Sequence, residues 1–249
     1  MVEKYLLYDG KVELSFDPDK HIYQVNGKIV DGVTSIIQIV DKSGPLMYWA
    51  VGQAMDYLRN NLKPGKALDE IEIREILEEA SKQHRLSKTR AGNVGDLTHE
   101  YIEKAMKGEK PKMPVNKQIR NGIKAFVKWA KENNFKPKLV EKKVYSKRFR
   151  YAGTMDIEGL VNGKLAIIDI KTSNRIYDEM RYQVVAYQNA REEETGKKYE
   201  ERWIIRLGKE DGEFEAVRLD DYEKDFKAFL AALILYRRKK ALKCSNNGK

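Results

Sequence analysis

Asp156, Asp169 and Lys171 have the types and the spacing to do chemistry together. They lie on the two arms of a hairpin marked by Asn162-Gly163, a dipeptide suited to a two-residue turn because both positions accept a left-handed backbone. With a two-residue loop Val161 faces Lys164, and counting outward puts Asp156 across from Asp169 and Thr154 across from Lys171. A bulge would break that register. Directly opposed side chains stand about 4.5–5.5 Å apart at Cβ, where two carboxylates repel. The second arm, Leu165-Ala-Ile-Ile-Asp-Ile, is apolar on both faces, as in a strand covered on both sides. An Asp–Lys ion pair at the strand end would satisfy one carboxylate and leave the other uncompensated, which is costly inside a fold. A divalent cation between the two carboxylates compensates both. Mg²⁺ takes oxygen ligands and is held by one or two carboxylates together with phosphate oxygens.

Periodicity predicts the elements that carry these groups. Residues 11–30 alternate around Asn26-Gly27, a hairpin signal that predicts an N-terminal β-ribbon. From Val33 to about Asn134 the apolar residues recur at helical spacing, with breaks at Ser43-Gly44-Pro45, Lys63-Pro64-Gly65, around Ser87 and from Lys110 to Pro114. After Pro137 the pattern turns to strands over Leu139–Tyr145, Ala152–Val161 and Leu165–Ile170. A helix over about Tyr177–Glu194, a strand over Glu201–Leu207 and a helix over Asp220–Leu242 follow. The expected fold class is α/β, a mixed central sheet flanked by helices, in one domain. Residues 1–135 supply the ribbon and helices, 136–244 the catalytic core and 245–249 a disordered tail.

The formal charge of +10 suits a polyanionic partner, and its distribution is focused. Twelve Lys or Arg and two acids lie between Asn116 and Arg150, leaving the rest of the chain balanced. Much of this falls on a helix predicted from Val115 to Asn134. Ile119, Ile123, Phe126, Val127 and Ala130 form its buried stripe, and Lys117, Arg120, Lys124, Lys128 and Lys131 form a row of cations. Such a row is either a solvated face or a nucleic-acid contact. Cys244 is the only cysteine, which excludes an intrachain disulfide, a Cys-ligated zinc and an iron–sulfur cluster. Any metal must be held by oxygen and imidazole. No apolar stretch is long enough for a membrane helix and no signal-peptide core is present, so no membrane association and a cytoplasmic setting, bacterial or in a phage-infected cell, are expected.

Gly153-x-x-Asp156, Asp169-x-Lys171, Gln183-x-x-x-Tyr187 and the upstream Gly95-x-x-x-His99 together resemble the PD-(D/E)xK nuclease superfamily in its RecB-like exonuclease branch. His21-Ile-Tyr, then Gly32-Val-Thr-Ser-Ile-Ile, then Leu46-Met-Tyr-Trp49 resemble the start of phage-type exonucleases related to the mitochondrial genome maintenance exonuclease. The chain departs from the pattern at the first motif's proline, which is absent from Thr154-Met155-Asp156, and in lacking the cysteines of the iron–sulfur members.

The resemblance implies a restriction-endonuclease-like core and a metal held by Asp156, Asp169 and the backbone carbonyl of Ile170. Lys171 would stabilise hydroxide and the charge developing on the phosphorane. His99 sits on a helix predicted from Lys88 to Lys107, with Val94, Leu97, Tyr101 and Ala105 as its core stripe. A lone histidine there is structural or a ligand; the match to the family's metal-binding helix selects the ligand, and an imidazole favours Mn²⁺ over Mg²⁺. Glu141 stands where relatives often carry an acid, as a supporting group behind the ligands. Gln183 and Tyr187 share one helix face, either as core packing or positioning Lys171 or a substrate phosphate. The expected activity is metal-dependent hydrolysis of DNA, from free ends of a single strand, with the helical half arching over the nucleic acid. The alternatives are a structure-specific or restriction-type endonuclease on the same core, and a catalytically inactive nucleic-acid-binding module.

Overall fold

The structure is a computed structural model that describes residues 1–40 and 43–246. An antiparallel ribbon of β1 (Glu3–Leu7), β2 (Val12–Asp17), β3 (Ile22–Val25) and β4 (Lys28–Gly32) leads into α1 (Val33–Ile37), α2 (Ser43–Asn61), α3 (Glu70–Met106) and α4 (Lys117–Glu132). The core then runs β5 (Lys136–Ser146), β6 (Tyr151–Val161), β7 (Lys164–Lys171), α5 (Asp178–Thr195), β8 (Glu201–Leu207), β9 (Phe214–Arg218) and α6 (Tyr222–Asn246). Among the described residues the sheet has the order β1-β2-β3-β4-β6-β7-β8-β9, with β5 also paired to β6. The β4–β6 and β7–β8 pairs are parallel and the others antiparallel, so the sheet is mixed and the α/β class holds.

Both expected Asn-Gly turns form, with φ of 48° and 76° at Asn26 and Gly27 and of 49° and 87° at Asn162 and Gly163. The parallel β7–β8 pair requires a crossover, and α5 provides it. One face of the sheet is packed by α1, α5 and α6 through Val33, Ile36, Val184, Tyr187 and Phe229 around Met155, Ile167 and Ile204. The other face is packed by α4 and the end of α3, through Phe126, Trp129 and Ile102, around Ile157, Ile168 and Ile170. β7 is thus covered on both sides, as its unbroken apolar run predicts.

The chain divides into two compact units, one made of Met1–Val40 and Thr98–Lys249 and the other of Asp41–Leu97. The second is helical, and within it Ser87 Oγ donates to Gln53 Oε1 at 2.6 Å. The expected break near Ser87 is absent, since α3 runs unbroken; nothing at Ser87 forbids a helix, and its hydroxyl has a partner. Other differences concern faces and edges. Leu97, Ala105 and Val127 are exposed, while Val94, Thr98, Ile102 and Asn121 are buried. Neighbouring helical stripes differ by one residue, and only packing chooses between them. The short edge strands β1 and β9 lie outside the expected strands. Ser245 belongs to the last turn of α6, and the rest of the expected tail beyond Asn246 lies outside the described residues.

Candidate active site

The β6–β7 ladder runs as counted from the turn, from Val161↔Lys164 to Ile157↔Ile168, and ends there. Asp156 and Asp169, next in that register, are not joined through the backbone. Nor does Thr154 face Lys171: it pairs with Lys143 of β5, and its hydroxyl shares a hydrogen bond with Tyr23 at 2.9 Å. The reason lies in β6 itself. Met155 joins the cluster under α5 whereas Ile157, two residues on, joins the opposite cluster. Residues two apart on a strand ordinarily share a face, so β6 rolls over at Asp156. β4 pairs with its start, at Tyr151 and Ala152, and β7 with its end. Between them Asp156 Oδ2 accepts the Ile170 N–H at 2.9 Å. In an extended strand the N–H and C=O of one residue point to the same edge, so the Ile170 carbonyl is directed to the same side.

β5 brings a third carboxylate. Its register with β6 places Val140 on Ile157 and Lys142 on Met155, so Glu141 is level with Asp156. Glu141 has φ 52°, a left-handed backbone rare for a side chain of its size. Strain of this kind costs about 1–3 kcal/mol and gathers where function requires a particular geometry. Glu141, Asp156 and Asp169 therefore form a row across three neighbouring strands. His99 completes the group from the C-terminal part of α3, its Nδ1 3.9 Å from Asp156 Oδ2. It is brought there by close helix packing: a Cβ at Gly122 of α4 would lie 2.9 Å from Thr98 Cγ2, so glycine lets α4 seat against the residue beside His99.

The charges explain one another. Burial pushes the Asp169 carboxyl up to about 6, with the Asp156 charge adding to the rise and Lys171 opposing it. Burial likewise raises Asp156, against Lys171 and the Ile170 N–H. Glu141 is pushed up to about 8, by burial first and then by Asp156. Burial works against the Lys171 ammonium, but the charges of Asp169 and Asp156 outweigh it and raise its pKa, so it stays protonated. Lys171 Nζ is 2.6 Å from Asp169 Oδ2. That contact is a close ion pair without hydrogen-bond alignment, since neither oxygen of the buried Asp169 has a hydrogen-bond partner among the described residues. One lysine facing three carboxylates leaves negative charge in excess.

The residues present fit a divalent cation. His99, Glu141 and Asp156 each offer a ligand atom, and these atoms all lie within 4.8 Å of one another. Metal–oxygen bonds of about 2.1 Å span such a gap after small side-chain adjustments. Asp169, expected as a ligand, lies against Lys171, and Glu141, expected only as a supporting acid, stands among the ligand atoms. Counting pairs from the β6–β7 turn could not reach Glu141, because β5 lies on the other edge of β6 and joins it through a longer loop after Ser146.

Gln183 and Tyr187 meet each other, Gln183 Nε2 donating to the Tyr187 hydroxyl at 2.9 Å. Tyr187 is core, and its ring occupies the space a Cβ at Gly153 would need, 2.5 Å from Cε1. Its pKa is raised by burial first and then by the Asp169 charge, so the hydroxyl stays protonated beside the site. The basic row of α4 is exposed and packed elsewhere. Its helix lies against β8 and β9, and Lys128 is committed to Glu213 and to the Phe214 ring. Among the described residues no hydrogen bond or ion pair links the five cations to Asp156, Asp169 or Lys171.

No family model and no curated protein matches the chain. Among solved structures, a protein described as SSO0001 superposes with a TM-score of 0.33 at 14% identity, over 78% of this chain and 87% of that one. An alkaline exonuclease from Laribacter hongkongensis gives a TM-score of 0.31 at 19% identity, over 60% of this chain and 85% of that one. The same exonuclease in complex with dAMP gives 0.31 at 17% identity, over 78% and 92%. Similarity of this size does not fix a function, which must come from the site. No described helix is long and apolar enough to cross a membrane.

Proposed function

We propose that the chain is a metal-dependent nuclease of the PD-(D/E)xK type, hydrolysing phosphodiester bonds of DNA from free ends of single strands. The observation that supports it best is the row Glu141–Asp156–Asp169, closed by His99 and faced by Lys171. Three carboxylates gathered around one ammonium must either hold protons, in keeping with the raised pKa values of Glu141 and Asp169, or share a cation.

Glu141, Asp156 and His99 would hold the ion, with Asp169 and the Ile170 carbonyl available from β7. A bound Mg²⁺ or Mn²⁺ supplies Lewis acidity and lowers the pKa of a ligated water. The imidazole in the set favours Mn²⁺. Asp169 holds the Lys171 ammonium by their ion pair, and the ammonium offers its protons to a phosphate oxygen and stabilises charge as it develops there. Tyr187 and Gln183 pack behind Asp169 and hold the strand end in place, a positioning role. The protein would act in the cytoplasm of a bacterial or phage-infected cell.

The test is degradation of a linear single strand, a covalently closed circle of the same sequence and a linear strand with both ends blocked, each with Mg²⁺, Mn²⁺ or EDTA. Only the open linear strand should be consumed, and only with metal. Rapid cutting of the circle would make the enzyme an endonuclease on the same site, and undiminished cutting in EDTA would remove the metal from the mechanism.

Strand affinity is assigned in part to α4. Replacing Lys117, Arg120 and Lys124 by Ala should weaken binding several-fold and flatten its salt dependence by about 0.7 in slope for each phosphate no longer neutralised. Lys128 should matter less, being held by Glu213. An unchanged slope in the triple variant would make the row a solvated face.

A further inference from the structure

Lys143 of β5 carries chemistry that the proposed hydrolysis leaves unused. It is 7% exposed, and its ammonium lies 4.8 Å from the centre of the Phe16 ring and 5.6 Å from that of Tyr5. Among the described residues it makes no hydrogen bond or ion pair, yet its nitrogen is not one of the buried orphan atoms, so the tip reaches solvent. The aromatic faces supply part of what a buried cation loses from water, and no more than that. An ammonium held this way, open at its tip and without an ion-pair partner among the described residues, is suited to an anion that arrives from solution.

His21 converges on the same place. It has φ 52° at the end of the turn between β2 and β3, where Asp17 Oδ1 accepts from the N–H groups of Asp19 and Lys20. Its ring stands edge-on to Phe16 at 5.3 Å and to Tyr23 at 5.7 Å, but the residue stays exposed. His21 Nε2 and Thr34 Oγ1 share a long hydrogen bond of 3.4 Å, which holds two polar groups from separate elements side by side. Phe16 is a neighbour of both, with Lys143 over its ring face and His21 edge-on to it, and the Lys143 charge lowers the His21 pKa in addition to the larger effect of burial. The same charge bears on Glu141. The link to the site is also mechanical, since Tyr23 beneath His21 bonds to Thr154, two residues from Asp156.

We infer that Lys143, His21 and Thr34 form a subsite for a backbone phosphate of the substrate strand, next to the phosphate that is attacked. This rests on the nuclease reading and deepens it. The phosphate diester would take the Lys143 charge and hydrogen bonds from the imidazole and the hydroxyl, fixing where the strand stops relative to Lys171.

The experiment is a binding cycle on the full chain, in Ca²⁺, with single-stranded oligonucleotides carrying one uncharged methylphosphonate at successive positions. Lys143→Met keeps a buried stem over the rings and removes the charge. For one position the methylphosphonate should weaken wild type about tenfold and Lys143→Met less than twofold, while other positions affect both proteins alike. Equal penalties at every position in both proteins would overturn the subsite and leave the nuclease reading standing if wild type still cleaves. A wild type that binds no strand would overturn both. If circular dichroism shows Lys143→Met unfolded, His21→Ala, at an exposed position, carries the same cycle with the same two outcomes.

Discussion

Asp156→Asn should abolish cleavage, on the order of 10³-fold or more, and should also erase the response of the fold to divalent metal. Asp156 is the carboxylate that every candidate ligand set shares. It lies level with Glu141, faces His99 at 3.9 Å and accepts the Ile170 N–H. Asparagine preserves that last hydrogen bond through its carbonyl oxygen, so the hairpin should stay intact while the charge is lost. In wild type, metal at about 100 times its Kd adds about 2.7 kcal/mol to stability. For a chain of this size that is a rise of roughly 5–10 °C in Tm. Thermal melts with and without Mn²⁺ read it directly. Asp169→Asn should lose cleavage too but keep part of the metal shift, because Asp169 is paired with Lys171 and the other ligand atoms stay clustered. A fully active Asp156→Asn protein would refute the site, and a full metal shift in it would refute the shared ligand.

The metal-free protein should lose stability as pH rises from about 4.5 to 8, the reverse of ordinary acid denaturation. Glu141 has a folded pKa raised from 4.5 to about 8, and Asp169 from 3.8 to about 6. Between the unfolded and folded values the native state holds protons that the unfolded chain has released. Stability is then fully present below the unfolded values and falls with pH, by at most about 1.4 kcal/mol per pH unit for each proton held. Metal reverses the sign, since it binds the deprotonated groups and gains affinity over the same range. Glu141→Gln should remove the upper part of the fall, between about pH 6 and 8, and weaken the metal shift. Urea melts across pH in EDTA and in Mn²⁺ test this. Identical pH profiles for wild type and Glu141→Gln would exclude Glu141 from the buried carboxylate row.

Reactive residue types, the hairpin that carries them and the class of fold were legible in the sequence because each depends on short-range chemistry. Asn162-Gly163 permits one tight turn, the turn sets the register out to Ile157↔Ile168, and the apolar run before Asp169 requires cover on both faces. Tertiary structure decided the rest. Glu141 reaches the row through a left-handed residue and a strand pairing that starts at a longer loop, neither of which has a local signature. The rolling of β6 at Asp156 follows from three strands competing for its two edges. His99 arrives because Gly122 admits Thr98, a close approach between two helices that no local pattern announces. The unpaired ammonium of Lys143 is visible only once Phe16 and Tyr5 stand beneath it, since a sequence shows charges and only packing shows which of them lack a partner.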